Sequence, residues 1–214
     1  MIDQEVAKIL LKLQAVTLRT DPPYKWASGI LSPIYTDNRI LISYPNEREQ
    51  IIDYFVQLIK KNSIEFDVAA GTATAGIPWA AWIAEKMKKP MVYVRKEAKG
   101  HGKENLVEGR LEKGQKVLVV EDLISTGGSS ISTINAVREA GCKADFCVAI
   151  FTYKMKKADQ NFGESGCRLF TLTDFNALVE VASETGYIKK EDKKVVLSWS
   201  KDPENWNRSK SLNS

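Results

Sequence analysis

The chain has 214 residues, 43% of them hydrophobic and 27% charged, with a formal net charge of +4 at pH 7. This suits one compact globular unit with a sizeable core, and it is too mildly basic to argue for nucleic acid. No apolar run is long enough to span a bilayer, and three cysteines (Cys142, Cys147, Cys167) without paired ligand spacing argue against a disulfide framework or a zinc site and read as small core hydrophobes.

The N-terminal DQEVAKILLKLQAV is an amphipathic pattern, with Ile2, Val6, Ile9, Leu10, Leu13 and Val16 near one helix face. It carries acids early, unlike a signal peptide, so a cytoplasmic location is expected. RTDPPYKWASGILSPIYTDNR (19–39) has three prolines and a glycine. It reads as irregular or short-stranded, and it is too apolar for a linker. A second helix is expected from near Pro45, a residue suited to the first turn, to about Lys61.

Short apolar strands then alternate with helices. FDVAA precedes IPWAAWIAEKMKK, MVYVR precedes a basic loop, and KVLVVE precedes SSISTINAVREAG. ADFCVAIFTY leads to a polar helix, and CRLFTL to DFNALVEVASETG. Strands that are apolar throughout are buried on both faces, and alternation with helices implies right-handed crossovers. The expected fold class is α/β, an open, mostly parallel sheet flanked by helices. Residues 1–60 would form N-terminal helices and a small hood segment over one end, and residues 61–214 the core of a single compact unit. The tail WSKDPENWNRSKSLNS (199–214) is polar and is expected to fray beyond a last helix.

Two stretches carry chemistry. Between Lys86 and Lys103 lie seven Lys or Arg residues and the only histidine, and KEAKGHGKEN (96–105) has no apolar period. A charge run is usually a solvated face, but this one, with two glycines, reads as a mobile basic loop suited to an anionic ligand. The second stretch is VLVVEDLISTGGSS (117–130), in which a strand runs into two acids and then a hydroxyl-and-glycine loop before a helix. In open α/β sheets ligands sit at the carboxyl ends of the strands. The loop therefore reads as a phosphate cradle of unpaired amides at a helix N-terminus, with close approach at Gly127 and Gly128 and hydroxyls from Ser125, Thr126 and Ser129. Carboxylates repel phosphate, so Glu121 and Asp122 suit neutral hydroxyls and the outer shell of Mg²⁺. Together these features suggest a phosphorylated sugar. A bland N-cap is the alternative for such a loop; the contiguity of strand, acids and loop outweighs it. GTATAGIP (71–78) lacks the Lys-Ser/Thr of a nucleoside triphosphate loop, and no dinucleotide fingerprint follows a strand.

VLVVEDLISTGGSS resembles the signature of type I phosphoribosyltransferases, which bind 5-phosphoribosyl 1-pyrophosphate (PRPP). RKEAKGHGKEN (95–105), WASGILSPIYTDNR (26–39) and AGTATAGIP (70–78) are similar to the catalytic loop, base-side segment and pyrophosphate loop of the orotate phosphoribosyltransferases among them. The resemblance implies transfer of phosphoribosyl from PRPP to orotate in pyrimidine biosynthesis, with Mg²⁺. It also implies a homodimer in which the loop of one subunit covers the site of the other, with no nucleic acid and no membrane as partners. It implies that Arg95, Lys96, Lys99 and His101 meet pyrophosphate, with Lys99 and Asp122 the main catalytic residues. Glu121, Asp122, Leu123, Ile124, Ser125, Thr126, Gly127, Gly128 and Ser129 would hold ribose 5-phosphate. Ser125, Tyr35, Ser28 and Gly29 would face orotate, and no side chain would ligate the metal directly. Some members carry a lysine where this chain has Ala27, another where it has Ala75, and an arginine near Thr152 or Tyr153; those three roles do not transfer. A transferase for another base, or a PRPP-binding regulator, are the competing readings. A regulator should show a helix-turn-helix or a basic recognition face, and neither is evident.

Overall fold

The computed structural model describes residues 1–26, 28–97 and 106–206. Helix α1 (Ile2–Lys12) buries Val6, Ile9 and Leu10, as its spacing predicts, but stops before Leu13 and Val16. Gln14 turns the chain at φ 56. Val16 then enters strand β1 (Val16–Leu18), where it pairs antiparallel with Thr36 of β4 (Ile34–Thr36). Between them β2 (Tyr24–Lys25) and β3 (Leu31–Ser32) make a small hairpin. A 3₁₀ helix (Asn38–Ser43) leads to α2 (Pro45–Lys61), which begins at Pro45 as expected and buries Ile51, Ile52, Phe55 and Ile59.

The alternating series follows as β5 (Val68–Thr72), α3 (Gly76–Met87), β6 (Met91–Val94), β7 (Val107–Glu108), β8 (Lys116–Ile124), α4 (Gly128–Glu139), β9 (Lys143–Thr152), α5 (Lys156–Ser165), β10 (Arg168–Asp174), α6 (Phe175–Glu184) and α7 (Asp192–Trp199). Six strands form one sheet in the order β10-β9-β8-β5-β6-β7, parallel except where β7 runs against β6. Successive side chains of a strand point to opposite faces. Leu118 and Val120 accordingly join a core with α1, α2, α3 and α6, while Val117 and Val119 join a second core with α4 and α5. Burial on both faces is why these strands read as unbroken apolar runs. The three cysteines are buried and free. No helix among the described residues is long and apolar enough to cross a membrane.

The last helix is α7, and the chain beyond it, expected to fray, stays packed as far as Trp206. Trp199 and Trp206 are buried, and their indole N–H groups donate to the carbonyls of Leu31 at 3.1 Å and Val195 at 2.9 Å. Trp199 holds α7 to the hairpin, and Trp206 folds the polar turn that follows back onto α7, each ring buried with its donor satisfied. Residues 207–214 lie outside the described residues.

Candidate active site

Strand order reverses at β5. One crossover leads from β5 through α3 to β6, while β8 lies on the opposite side of β5 and leads through α4 to β9. Adjacent strands whose connections leave to opposite faces open a crevice at their carboxyl ends. A cleft of about 320 Å³ occupies that position. It is lined by Ala73, Thr74 and Ala75 from the β5–α3 loop, Lys96 beyond β6, and Glu121–Leu123 and Ser125–Ser130 from β8 and α4.

The acids sit within a strand that runs on past them to Ile124, further than its apolar run suggests. The ladder between β8 and β9 continues through Glu121↔Ala149, Leu123↔Phe151 and Ile124↔Thr152, so only Ser125, Thr126 and Gly127 connect to α4. On its other edge β8 loses its partner after Gly71↔Val120. The start of α3 fills that edge, and a Cβ on Gly76 would collide with the Val120 carbonyl oxygen. Further along, the buried Asn38 donates Nδ2 to the Asp122 carbonyl at 2.8 Å. An orphaned carbonyl would otherwise cost about 1–3 kcal/mol. Asn38, absent from the sequence reading, thus ties the N-terminal segment to the acid pair.

Gly127 adopts φ 82, and α4 has no side-chain cap. The first amides of α4 therefore lack an intrahelical partner and carry the positive end of the helix dipole, which suits an anion. Ser125, Thr126, Gly127, Gly128 and Ser129 come together here, with Lys96 across the cleft. Leu123 lines the wall, whereas Ile124 turns its side chain into the core beneath α4. Arg95 lies in an adjoining hollow with Thr72, Ser129 and Thr133 and pairs with Glu108 at 3.4 Å. Of the proposed base-side residues, Ser125 lines the cleft, whereas Tyr35, Ser28 and Gly29 do not. Tyr35 is 49% exposed with its ring 5.7 Å from Tyr24, and Ser28 and Gly29 are exposed in the hairpin turn. There the Gly29 N–H donates to Trp26 O and the Trp26 N–H to Ile30 O. Two amides of this segment are thus spent within the turn. Tyr153, near the position of the missing arginine, is buried against Trp26, Phe151 and Trp199. Lys99 and His101 lie outside the described residues.

Glu121 and Asp122 are both buried. The Glu121 carboxyl accepts from the Asp122 N–H at 3.2 Å and from Ser130 Oγ at 3.4 Å. Burial, reinforced by the neighbouring Asp122 charge, pushes Glu121 up from 4.5 to about 9. Burial also raises Asp122, while hydrogen bonding from Glu121 holds it back. The folded protein therefore keeps a proton on Glu121 that the unfolded chain releases above 4.5. This contribution to stability is complete below 4.5 and is lost as pH rises through about 9. Wild-type stability should fall by up to about 3 kcal/mol between pH 6 and pH 8. The neutral Glu121→Gln variant should flatten that decline in urea midpoints. Parallel profiles for the two proteins would mean that Glu121 is ionised when folded.

The family model for the phosphoribosyl transferase domain matches residues 37–183. The chain is 53% identical over 202 residues to an orotate phosphoribosyltransferase of Coxiella burnetii, covering 94% of this chain and 97% of that protein. Among solved structures it resembles an orotate phosphoribosyltransferase from Aeropyrum pernix (30% identity, TM-score 0.74), covering 86% of this chain and 99% of that one. It also resembles a UMP synthase of Leishmania donovani (25% identity, TM-score 0.78), covering 92% of this chain but spanning only 42% of that protein.

Proposed function

The chain belongs to the phosphoribosyl transferase domain family, on its orotate phosphoribosyltransferase branch, and from that premise we propose how its residues divide the work. The reaction joins a ring nitrogen of orotate to C1 of PRPP and releases pyrophosphate, giving orotidine 5′-monophosphate. The observation that carries the assignment of roles is the meeting of the acid pair with the uncapped N-terminus of α4 in one cleft. The 5-phosphate belongs at Ser125–Ser129, where amides and hydroxyls face the cleft. The ribose hydroxyls belong beside Glu121 and Asp122, whose carboxyl oxygens accept hydrogen bonds, and the Asp122 carboxylate would repel phosphate. Pyrophosphate then extends towards Ala73–Ala75 and Lys96, with Arg95, Lys99 and His101 completing its surroundings. Ser125 and the hairpin carrying Ser28 and Gly29 would face orotate, with Tyr35 as a flat wall.

A glycosyl transfer of this kind passes through an oxocarbenium-like state, with negative charge growing on the leaving group. The chain's own cations at the pyrophosphate end stabilise that charge. The oxygen-rich floor of the cleft fits Mg²⁺, because the Asp122 carboxylate can accept from water in the outer shell of a cation held by PRPP oxygens. When bound, Mg²⁺ would supply further charge neutralisation on the pyrophosphate. Residues around 98–105 would close over the cleft of a partner subunit in a homodimer, excluding water that would hydrolyse PRPP. A cytoplasmic location fits these phosphorylated substrates.

Asp122→Asn tests the division of roles. Losing a charge-assisted acceptor should weaken PRPP binding and lower kcat/KM by about 10–100-fold while circular dichroism stays unchanged. Unaltered PRPP affinity and turnover on folded protein would remove Asp122 from the site.

A further inference from the structure

The loop between β8 and α4 is braced from behind by α5. Asn161 of that helix donates Nδ2 to the carbonyl oxygen of Thr126 at 2.8 Å. One residue on, buried Phe162 sets its ring where a Cβ on Gly127 would come 2.9 Å from Cε2. The Thr126 carbonyl and the Gly127 N–H belong to one peptide, and a planar trans peptide points these two groups in opposite directions. With the oxygen tied to α5, the N–H faces away from that helix, and Thr126 and Gly127 both line the cleft.

The orientation of this peptide is not dictated locally. Gly127 sits at φ 82, ψ 0, the values of the third residue in a type II turn. Turning the preceding peptide over leads towards a type I arrangement, with negative φ at the third residue, and glycine takes either sign of φ about equally well. The reversed peptide would aim the Thr126 oxygen at an anion in the cleft, exchanging an attractive dipole for a repulsive one. Phe162 limits the space at Gly127 but offers no hydrogen bond to choose between the two. Among the described residues Asn161 is the side chain bonded to that oxygen.

We propose that Asn161 is a positioning residue for the phosphate of PRPP: by holding the Thr126 carbonyl against α5 it keeps the Gly127 N–H aimed at the 5-phosphate. The inference rests on the reading of Ser125–Ser129 as the 5-phosphate cradle. It assigns to α5, a helix outside the cleft, control over the polarity of one peptide within it.

The test is calorimetric titration of the full chain with ribose 5-phosphate and, separately, with pyrophosphate. It compares wild type with Asn161→Ala and with Asn161→Leu, which keeps comparable bulk but has no donor. Both variants should bind ribose 5-phosphate about tenfold more weakly, as the loss of one well-directed hydrogen bond would produce. Both should bind pyrophosphate within about twofold of wild type, and KM for orotate should stay unchanged. Equal weakening of both ligands would mean that Asn161 merely stabilises the domain, and unchanged ribose 5-phosphate affinity would mean that the peptide holds its orientation without it; either result overturns the proposal. If wild type itself fails to bind ribose 5-phosphate, the cradle reading falls and takes the proposal with it.

Discussion

Uracil is expected to be about 10⁴-fold poorer than orotate in kcat/KM with PRPP. The two bases share a ring and differ by the orotate carboxylate. A site built to bond that group must desolvate its own donors, and uracil leaves them unpaired. The structure narrows which donors can serve. The N–H groups of Trp26 and Gly29 are consumed in the hairpin turn. The Arg39 guanidinium is gripped by Asp37, with its Nε 2.6 Å from Oδ1 and its second contact at 3.0 Å. Lys25 on β2 and the Ser125 hydroxyl then become the leading side-chain candidates. Lys25→Ala should raise KM for orotate about tenfold and leave KM for PRPP unchanged, the signature of a lost charge-assisted bond to one substrate. A steady-state comparison of the two bases, following orotate absorbance and pyrophosphate release, decides the matter. Comparable turnover of uracil and orotate would contradict a built carboxylate site.

The second large effect concerns the basic loop. Lys99→Ala should lower kcat by about 10²–10³-fold, the usual consequence of removing one donor aimed at charge that develops in the transition state. A solvated charge run would instead make the substitution nearly silent. If the loop acts across a dimer, mixing Lys99→Ala protein with Asp122→Ala protein should restore activity. Each hybrid dimer then has one site with both lesions and one with neither. With free exchange of subunits, roughly a quarter of the wild-type rate should return, since half the dimers are hybrid and half their sites intact. Absence of recovery, once hybrid dimers are demonstrated by mass, would mean that the loop serves its own subunit.

Much of this molecule is legible from residue order alone. VLVV, FDVAA and ADFCVAIFTY announce buried parallel strands because both faces of such strands are covered, so no polar alternation is needed. Pro45 marks the first turn of α2 because a proline there forfeits no helical hydrogen bond. The acids, hydroxyls and glycines of EDLISTGGSS are contiguous, and contiguity is what a sequence displays directly.

Other features were decided by contacts between residues far apart in the chain. Val16 has helical spacing but lies in a strand, because Thr36 supplies a ladder partner. Strand β8 runs on through the acids because β9 continues beside it, a length set by the neighbour and not by its own composition. Helix α7 is tied to the hairpin by Trp199, whose indole donates to Leu31 across 168 positions, and Trp206 folds the following turn back onto α7. Asn38 reaches Asp122 across 84 positions, and Asn161 reaches Thr126 across 35. Local propensity depends on near neighbours, whereas an amide that satisfies a distant carbonyl leaves no periodic trace. Residue order alone is enough to locate the strands, the hydroxyl-and-glycine loop and the acid pair, because each is a run of neighbouring residues. Packing between distant segments sets which peptide edges stay open, which amides are already spent, and how far burial raises the acids in the cleft.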